Sequence, residues 1–367
     1  MKVGIMSMQR IVNYGSYLQA YALKSYVKNM GHQVEFVDYF VEKPLTQFVS
    51  ATKNSGIKRL LKMLSPSYRR YRREQIRMNQ SFKKFYDCFV EDFLPTLGIR
   101  SERNYCPQVD VLIIGSDEVF NCTQSGVEVG FSRQLFGKDH QAKRLISYAA
   151  SFGSTTLDEL VNLKISDDIA KLLKSFHSIS VRDENSASIT SALTAQSPLQ
   201  HIDPVLLYEF PEINTISIDK SNYIIVYAYA GRISDTETRI ITKFAQKNNK
   251  KILALGYFQP FCDEYILANP LEVLAYIKNA DYVITDTFHG TVFSIKYQVP
   301  FCTIVRDSNK NKLTDLLKRF DLIDRTLFNV NDLDNILSTS LDSDAIKHKI
   351  SKYQGDAKNY LNESFNF

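Results

Sequence analysis

Residues 281–302 read DYVITDTFHGTVFSIKYQVPFC. Tyr282, Val283 and Ile284 form a short apolar run of the kind that ends a buried parallel strand. Asp286, Thr287, Phe288, His289 and Gly290 make the turn that follows, and Thr291 to Tyr297 continues as the first part of a helix. Open α/β sheets bind ligands outside the carboxyl ends of their strands, where this reading puts His289. The helix N-terminus beside it offers unpaired N–H groups and a positive dipole end to an anion. An average histidine is structural or simply exposed. This one has the position of a working group.

The same alternation extends outward in both directions. The chain opens with strand Lys2–Met6, a loop, a helix from about Ser16 to Met30 stopped by Gly31, and strand Gln33–Val37 ending at Asp38. Val109–Gly115 is a buried strand that runs into Ser116-Asp117-Glu118, Arg144–Ala149 is another, and His177–Val181 leads into Arg182-Asp183-Glu184. After the polar connection Pro211–Ser221 a second set begins, with strands Tyr223–Ala228, Lys251–Leu255, Asp281–Thr285 and Pro300–Val305. Helices Thr236–Asn248, Leu271–Asn279 and Leu313–Phe320 separate or follow them. Strands alternating with helices predict an α/β chain of two Rossmann-like domains facing across a cleft. The boundaries follow as residues 1–212 and 213–345, with a last helix in 346–367 returning to the first domain.

Bulk properties agree with that size. A chain of 367 residues exceeds one ordinary core, and 44% hydrophobic with 23% charged residues is a globular composition. No apolar run reaches the roughly 18 residues that cross a bilayer, and MKVGIMSMQRIVNYG reads as a first strand rather than a signal peptide. The five cysteines are scattered without a C-x-x-C pair, which suits reduced thiols in a cytoplasm and argues against a cysteine zinc site. The net charge of +5 is uneven: residues 51–80 carry nine Lys or Arg against Glu74 alone. Tyr68 and Tyr71 interleave with arginines in the 58–77 stretch, but no nucleic-acid motif accompanies them. A solvated basic helix is the simplest reading, ahead of contact with an anionic membrane face or a lipid-linked substrate.

Several strand ends carry candidate chemistry. Asn13-Tyr14-Gly15-Ser16 follows the first strand and precedes a helix, a place to hold an anion or a sugar hydroxyl, although Gly15 could simply make the turn. The absence of G-x-G-x-x-G leaves a dinucleotide site, and Asp38 as its ribose ligand, poorly supported. Asp117 could serve as a base toward a hydroxyl or cap the next helix. Arg182 could fork onto a carboxylate or phosphate, or pair with Asp183 or Glu184. No strong metal-ligand cluster appears, so no obligatory metal and no cofactor are expected.

Six segments in order resemble the polysaccharide pyruvyl transferase family over most of the chain. They are NYGSYLQAYAL (Asn13–Leu23), VLIIGSDEVFN (Val111–Asn121), SYAASFG (Ser147–Gly153), ISVRDENSA (Ile179–Ala187), DPVLL (Asp203–Leu207) and ADYVITDTFHGTVFSIKYQVPF (Ala280–Phe301). The resemblance implies a GT-B-like pairing of the two domains. It also implies transfer of a pyruvyl group from phosphoenolpyruvate to two hydroxyls of a bacterial surface or exopolysaccharide sugar, free or lipid-linked, with release of phosphate. It makes His289 the donor contact and acid, Arg182 the anion clamp, and Asp117 a base or acceptor ligand. Asn13, Gly15, Ser116, Asn121, Phe288 and Gly290 would line the site. Some relatives carry an arginine two residues before this histidine, where Thr287 stands here, so a second anion contact would come from Arg232 or Arg306. Two other readings share the fold: a glycosyltransferase using a nucleotide sugar, and a glycan-binding protein without catalysis. The enzyme would be cytoplasmic, with the 58–77 stretch a candidate contact to the inner membrane face.

Overall fold

The computed structural model describes residues 1–46, 66–126 and 128–366, with residues 66–71 as backbone. Two all-parallel sheets organise the chain. The first has the order β2-β1-β3-β4-β5-β6, from Lys2–Met6 (β1), Gln33–Phe36 (β2), Val111–Asp117 (β3), Arg144–Ala150 (β4), Ser180–Val181 (β5) and Leu199–Gln200 (β6). The second has the order β11-β10-β7-β8-β9, from Tyr223–Tyr227 (β7), Lys251–Leu255 (β8), Glu264–Ile266 (β9), Tyr282–Thr285 (β10) and Phe301–Thr303 (β11). In register, Val3 faces Val111 in the first sheet and Val283 faces Ile225 in the second. The central strands β3, β7 and β10 are buried almost throughout, as parallel strands covered on both faces must be.

The local chemistry sets the helix ends. Asn13 caps helix Tyr14–Asn29, Asp183 caps Glu184–Thr194, and Thr287 caps Phe288–Tyr297, each accepting a backbone N–H with its side chain. Gly31, at φ 90°, takes the left-handed turn that ends the first helix. Apolar residues of both sheets and of the intervening helices pack as one continuous cluster from Val3 and Tyr14 to Ile225 and Phe293. Tyr14 Oη donates to the Ala268 carbonyl at 2.6 Å, tying the first helix to the second sheet. The last helix, Ser343–Phe365, lies against the first sheet, where Tyr360 Oη donates to the Ser147 carbonyl at 2.6 Å.

The structure corrects the sequence reading at three places. The helix after β10 begins at Phe288, so His289 and Gly290 belong to its first turn and not to a preceding loop. Of His177–Val181 only Ser180–Val181 is strand, with Ser178 in an isolated bridge to Ile146. The edge strands β6 and β9 have no counterpart in the sequence reading, because neither shows the apolar run of a covered strand. In the basic region, helix Pro66–Cys88 carries Arg72, Arg73 and Arg77 exposed, whereas Lys53, Lys58, Arg59 and Lys62 lie outside the described residues. Among the described residues no helix is long and apolar enough to cross a membrane.

Candidate functional site

The carboxyl ends of both sheets open onto one cleft of about 270 Å³. Asn13, Ser16, Asp117, Glu118 and Arg182 reach it from the first sheet, and Arg232, Thr287, Phe288, His289 and Lys312 from the second half of the chain.

His289 is placed by glycines on either side of it. Thr287 Oγ1 accepts the Gly290 N–H at 2.9 Å, which starts the helix. A Cβ on Gly290 would lie 2.2 Å from Thr285 Oγ1, so only glycine lets the two threonines close beneath the turn. The first two N–H groups of this helix, on Phe288 and His289, have no acceptor among the described residues. On the opposite wall, a Cβ on Gly15 would fall 2.2 Å from His289 Nδ1 and 2.3 Å from its Cγ. Gly15 is therefore the surface against which the imidazole rests, not a turn glycine. His289 Nε2 is buried without a hydrogen bond among the described residues, 3.5 Å from Asp203 Oδ2.

Asp203 links that histidine to Arg182. Arg182 Nη1 donates to Asp203 Oδ2 at 2.9 Å, Nη2 lies 3.7 Å from Asp117 Oδ1, and the guanidinium sits 4.1 Å above the Phe288 ring. Only 4% of Arg182 is exposed, and its Nε has no partner among the described residues. Burial works to raise the Asp203 carboxyl, but His289, Arg182 and the Val205 N–H outweigh it and hold it below the usual carboxylate range. Local sequence offered Asp183 or Glu184 as partners for Arg182. Asp183 is instead used as a cap, its Oδ1 accepting the Ser186 N–H at 2.9 Å.

Asp117 ends β3 at φ 79°, a conformation that side chains other than glycine's rarely adopt. Its Oδ2 accepts from Ser16 Oγ at 2.7 Å, so the helix-cap alternative for Asp117 is not what forms. Glu118 reaches across the cleft to Lys312 in a short ion pair. Burial would raise the Glu118 carboxyl, but Lys312 and the Asn121 amide overcome it and hold it at about 2. Asp286, fully buried, is pushed up by burial, against the N–H of Tyr229 at 3.0 Å and Arg232 at 3.6 Å.

Three expected contacts lie elsewhere. Ser116 is fully buried, its Oγ donating to the Ala149 carbonyl. The Asn121 amide donates to Glu118 and accepts from Thr155 and Thr123, a strut beneath the cleft. Arg306 is forked onto Glu237 by two bonds of 2.9 and 2.8 Å, and its Nη2 also donates to the Arg232 carbonyl. Arg232, its side chain 38% exposed, does line the cleft. Sequence reasoning gave no role to Asp203, Lys312, Asp286, Tyr229 or Tyr257. Of these, Asp203 carried a signal as the first residue of the DPVLL segment and Asp286 as the first residue of the turn before His289, whereas Lys312, Tyr229 and Tyr257 carried none. Among the described residues no group of three His, Cys, Asp or Glu is placed to hold a metal ion.

Residues 13–308 match the profile of the family described as polysaccharide pyruvyl transferase. The chain belongs to this family. All six segments quoted above, and every cleft residue named here except Lys312, fall inside the matched span. No curated protein sequence matches the chain. Among solved structures, UDP-GlcNAc 2-epimerase from Neisseria meningitidis bound to UDP-GlcNAc superposes with a TM-score of 0.50 at 9% identity, covering 99% of each chain. S. aureus MnaA with UDP gives 0.46 at 10% identity over 98% of this chain and 96% of the other. The Streptomyces sp. SF2575 glycosyltransferase SsfS6 with thymidine diphosphate gives 0.46 at 10% identity over 99% of each. This pyruvyl transferase family member thus has two parallel-sheet α/β domains in the GT-B arrangement.

Proposed function

We propose that the protein transfers the enolpyruvyl carbons of phosphoenolpyruvate to two hydroxyls of a polysaccharide sugar unit, forming a cyclic ketal and releasing phosphate. The observation that carries this reading is the seating of His289 against Gly15, beside the Arg182–Asp203 pair, in a member of this family.

The chemistry uses what the cleft holds. Phosphoenolpyruvate brings two anionic groups, and Arg182, Arg232 and Lys312 with the open N–H groups at Phe288 and His289 meet them. Lys312 and Arg232 thereby take the place of the arginine that Thr287 replaces. His289 gives a proton to the methylene carbon, which becomes a methyl group and leaves C2 electrophilic; histidine is the side chain suited to such transfer near neutral pH. One sugar hydroxyl adds at C2 and loses its proton to Asp117. The second hydroxyl then forms its bond to C2 as the C2–O bond to phosphate breaks, and its proton leaves with phosphate or solvent. Asp203 keeps Arg182 and His289 in position throughout. The reaction needs no cofactor beyond its donor.

The test is phosphate release and acid-labile pyruvate incorporation with phosphoenolpyruvate and a panel of saccharide acceptors. His289→Ala should abolish both. Normal turnover by that variant sinks the assignment of His289, and no release with any saccharide sinks the donor. Thermal stabilisation by UDP or GDP but not by phosphoenolpyruvate would transfer the site to a nucleotide-sugar donor.

A further inference from the structure

A second cavity of about 240 Å³ adjoins the cleft, and Tyr257 lines both. Helix Pro66–Cys88 forms one wall with Asn79 and Phe82; the turn after β8 and strand β9 form the other with Tyr257, Phe258 and Tyr265. An aromatic track joins the two spaces. Tyr229 in the cleft lies 5.5 Å from Tyr257, and Tyr257 lies 6.1 Å from Phe82 with the two planes within 9°. Phe258 and Tyr265 meet edge to face at 6.0 Å. Phe82 is 46% exposed, while Phe85 on the same helix and Phe89 in the π-helical turn that continues it are fully buried, so the core does not account for it.

Among the described residues no charged side chain lines this groove, in contrast to the cleft beside it with three cations and three carboxylates. Those residues include no cation to pair with a phosphate or a carboxylate. Aromatic faces and the Asn79 amide instead match a neutral ring with an apolar C–H face and a rim of hydroxyls. At about 240 Å³ it is smaller than a drug-sized site of roughly 300–1,000 Å³ and suits a single sugar ring.

We propose that this groove is a subsite for the sugar next to the one that is modified, so that the acceptor is recognised as at least a disaccharide. This rests on the saccharide-acceptor reading given above. The experiment measures phosphate release with phosphoenolpyruvate and paired p-nitrophenyl mono- and disaccharides of glucose, galactose, mannose and N-acetylglucosamine. Saturation-transfer NMR of the same disaccharides runs beside it. The parent protein should favour the disaccharide of a productive pair at least tenfold in kcat/KM. Phe82→Ala should erase that preference, with a far larger loss on the disaccharide than on the monosaccharide. Val90→Ser, exposed in the turn just beyond the end of that helix and outside the groove, should change neither. Equal kinetics for both lengths in the parent, or equal losses on both in Phe82→Ala, overturns the subsite. If no pair releases phosphate, the pyruvyl-transfer reading falls and the groove is judged by NMR. Disaccharide signals present in the parent and lost in Phe82→Ala uphold it; their absence from the parent, or their persistence in Phe82→Ala, overturns it.

Discussion

Gly15→Ala separates a seat for the proposed catalytic histidine from an ordinary helix glycine. Gly15 is the second residue of helix Tyr14–Asn29 and does not have a positive φ, so alanine fits its backbone. Helix propensity alone would favour the substitution by about 1 kcal/mol. The added methyl, however, would sit 2.2 Å from His289 Nδ1, where an ordinary heavy-atom contact is about 3.5 Å. The imidazole must retreat by more than about 1 Å, and overpacking of this kind costs about 1–3 kcal/mol. The two terms leave a net destabilisation of about 0–2 kcal/mol, a small change in Tm. A displacement of about 1 Å at a reacting group costs on the order of 100-fold in rate. The expected outcome is a folded protein with kcat for phosphate release down about 100-fold. Activity within threefold of the parent would refute the argument, since the ring would then not depend on the seat. A large loss of Tm would refute it differently, by making Gly15 a folding residue.

Asp203→Asn leaves Arg182 buried with Asp117 at 3.7 Å as its one ion-pair partner among the described residues, and breaking a buried pair costs about 3–5 kcal/mol; denaturant unfolding should show a loss of that size. Lys312→Met should raise KM for phosphoenolpyruvate at least tenfold and weaken the protein in acid. Glu118 is held at about 2 against an ordinary 4.5, so its contribution is present above pH 4.5 and lost as pH falls toward 2; without Lys312 the acid-unfolding midpoint should move up. His201 is lowered by burial from 6.5 to about 4, so the unfolded chain binds a proton in that window which the folded one refuses. Stability should therefore fall by about 3 kcal/mol from pH 6.5 to 4, and His201→Gln should flatten that slope in urea titrations; an unchanged slope would count against the assignment.

Strands covered on both faces were legible because their apolar runs are dictated by burial: Val111–Ile114 and Val283–Ile284 could hardly be anything else. Leu199–Gln200, an exposed two-residue edge, carries no such pattern. The site divided along the same line. His289, Thr287 and Phe288 were readable because a strand end and a helix start placed them together in one segment. Partnerships between distant segments were not, since Arg182 could choose among several acids and only the fold selects Asp203 over Asp183. Neighbourhood in sequence also misled. Ser116 and Asn121 flank Asp117, yet both point into hydrogen bonds beneath the cleft.

The same geometry ranks the cations by what they can give a donor. Arg182 has one nitrogen committed to Asp203, another near Asp117, and Phe288 under its face, so it offers a fixed charge and little freedom to regrip. Lys312 is tied to Glu118, a carboxylate held so far below its usual range that it stays ionised throughout the neutral region. Arg232 is the most exposed of the three and only 3.6 Å from Asp286, whose carboxyl burial has pushed up. A phosphate entering beside Arg232 competes with the weaker of these anions, whereas one entering at Arg182 must displace a well-held carboxylate. For the proposed reaction we infer that Arg232 makes the mobile contact to the departing phosphate, with Arg182 and Lys312 as the fixed field around the carbon that His289 would protonate.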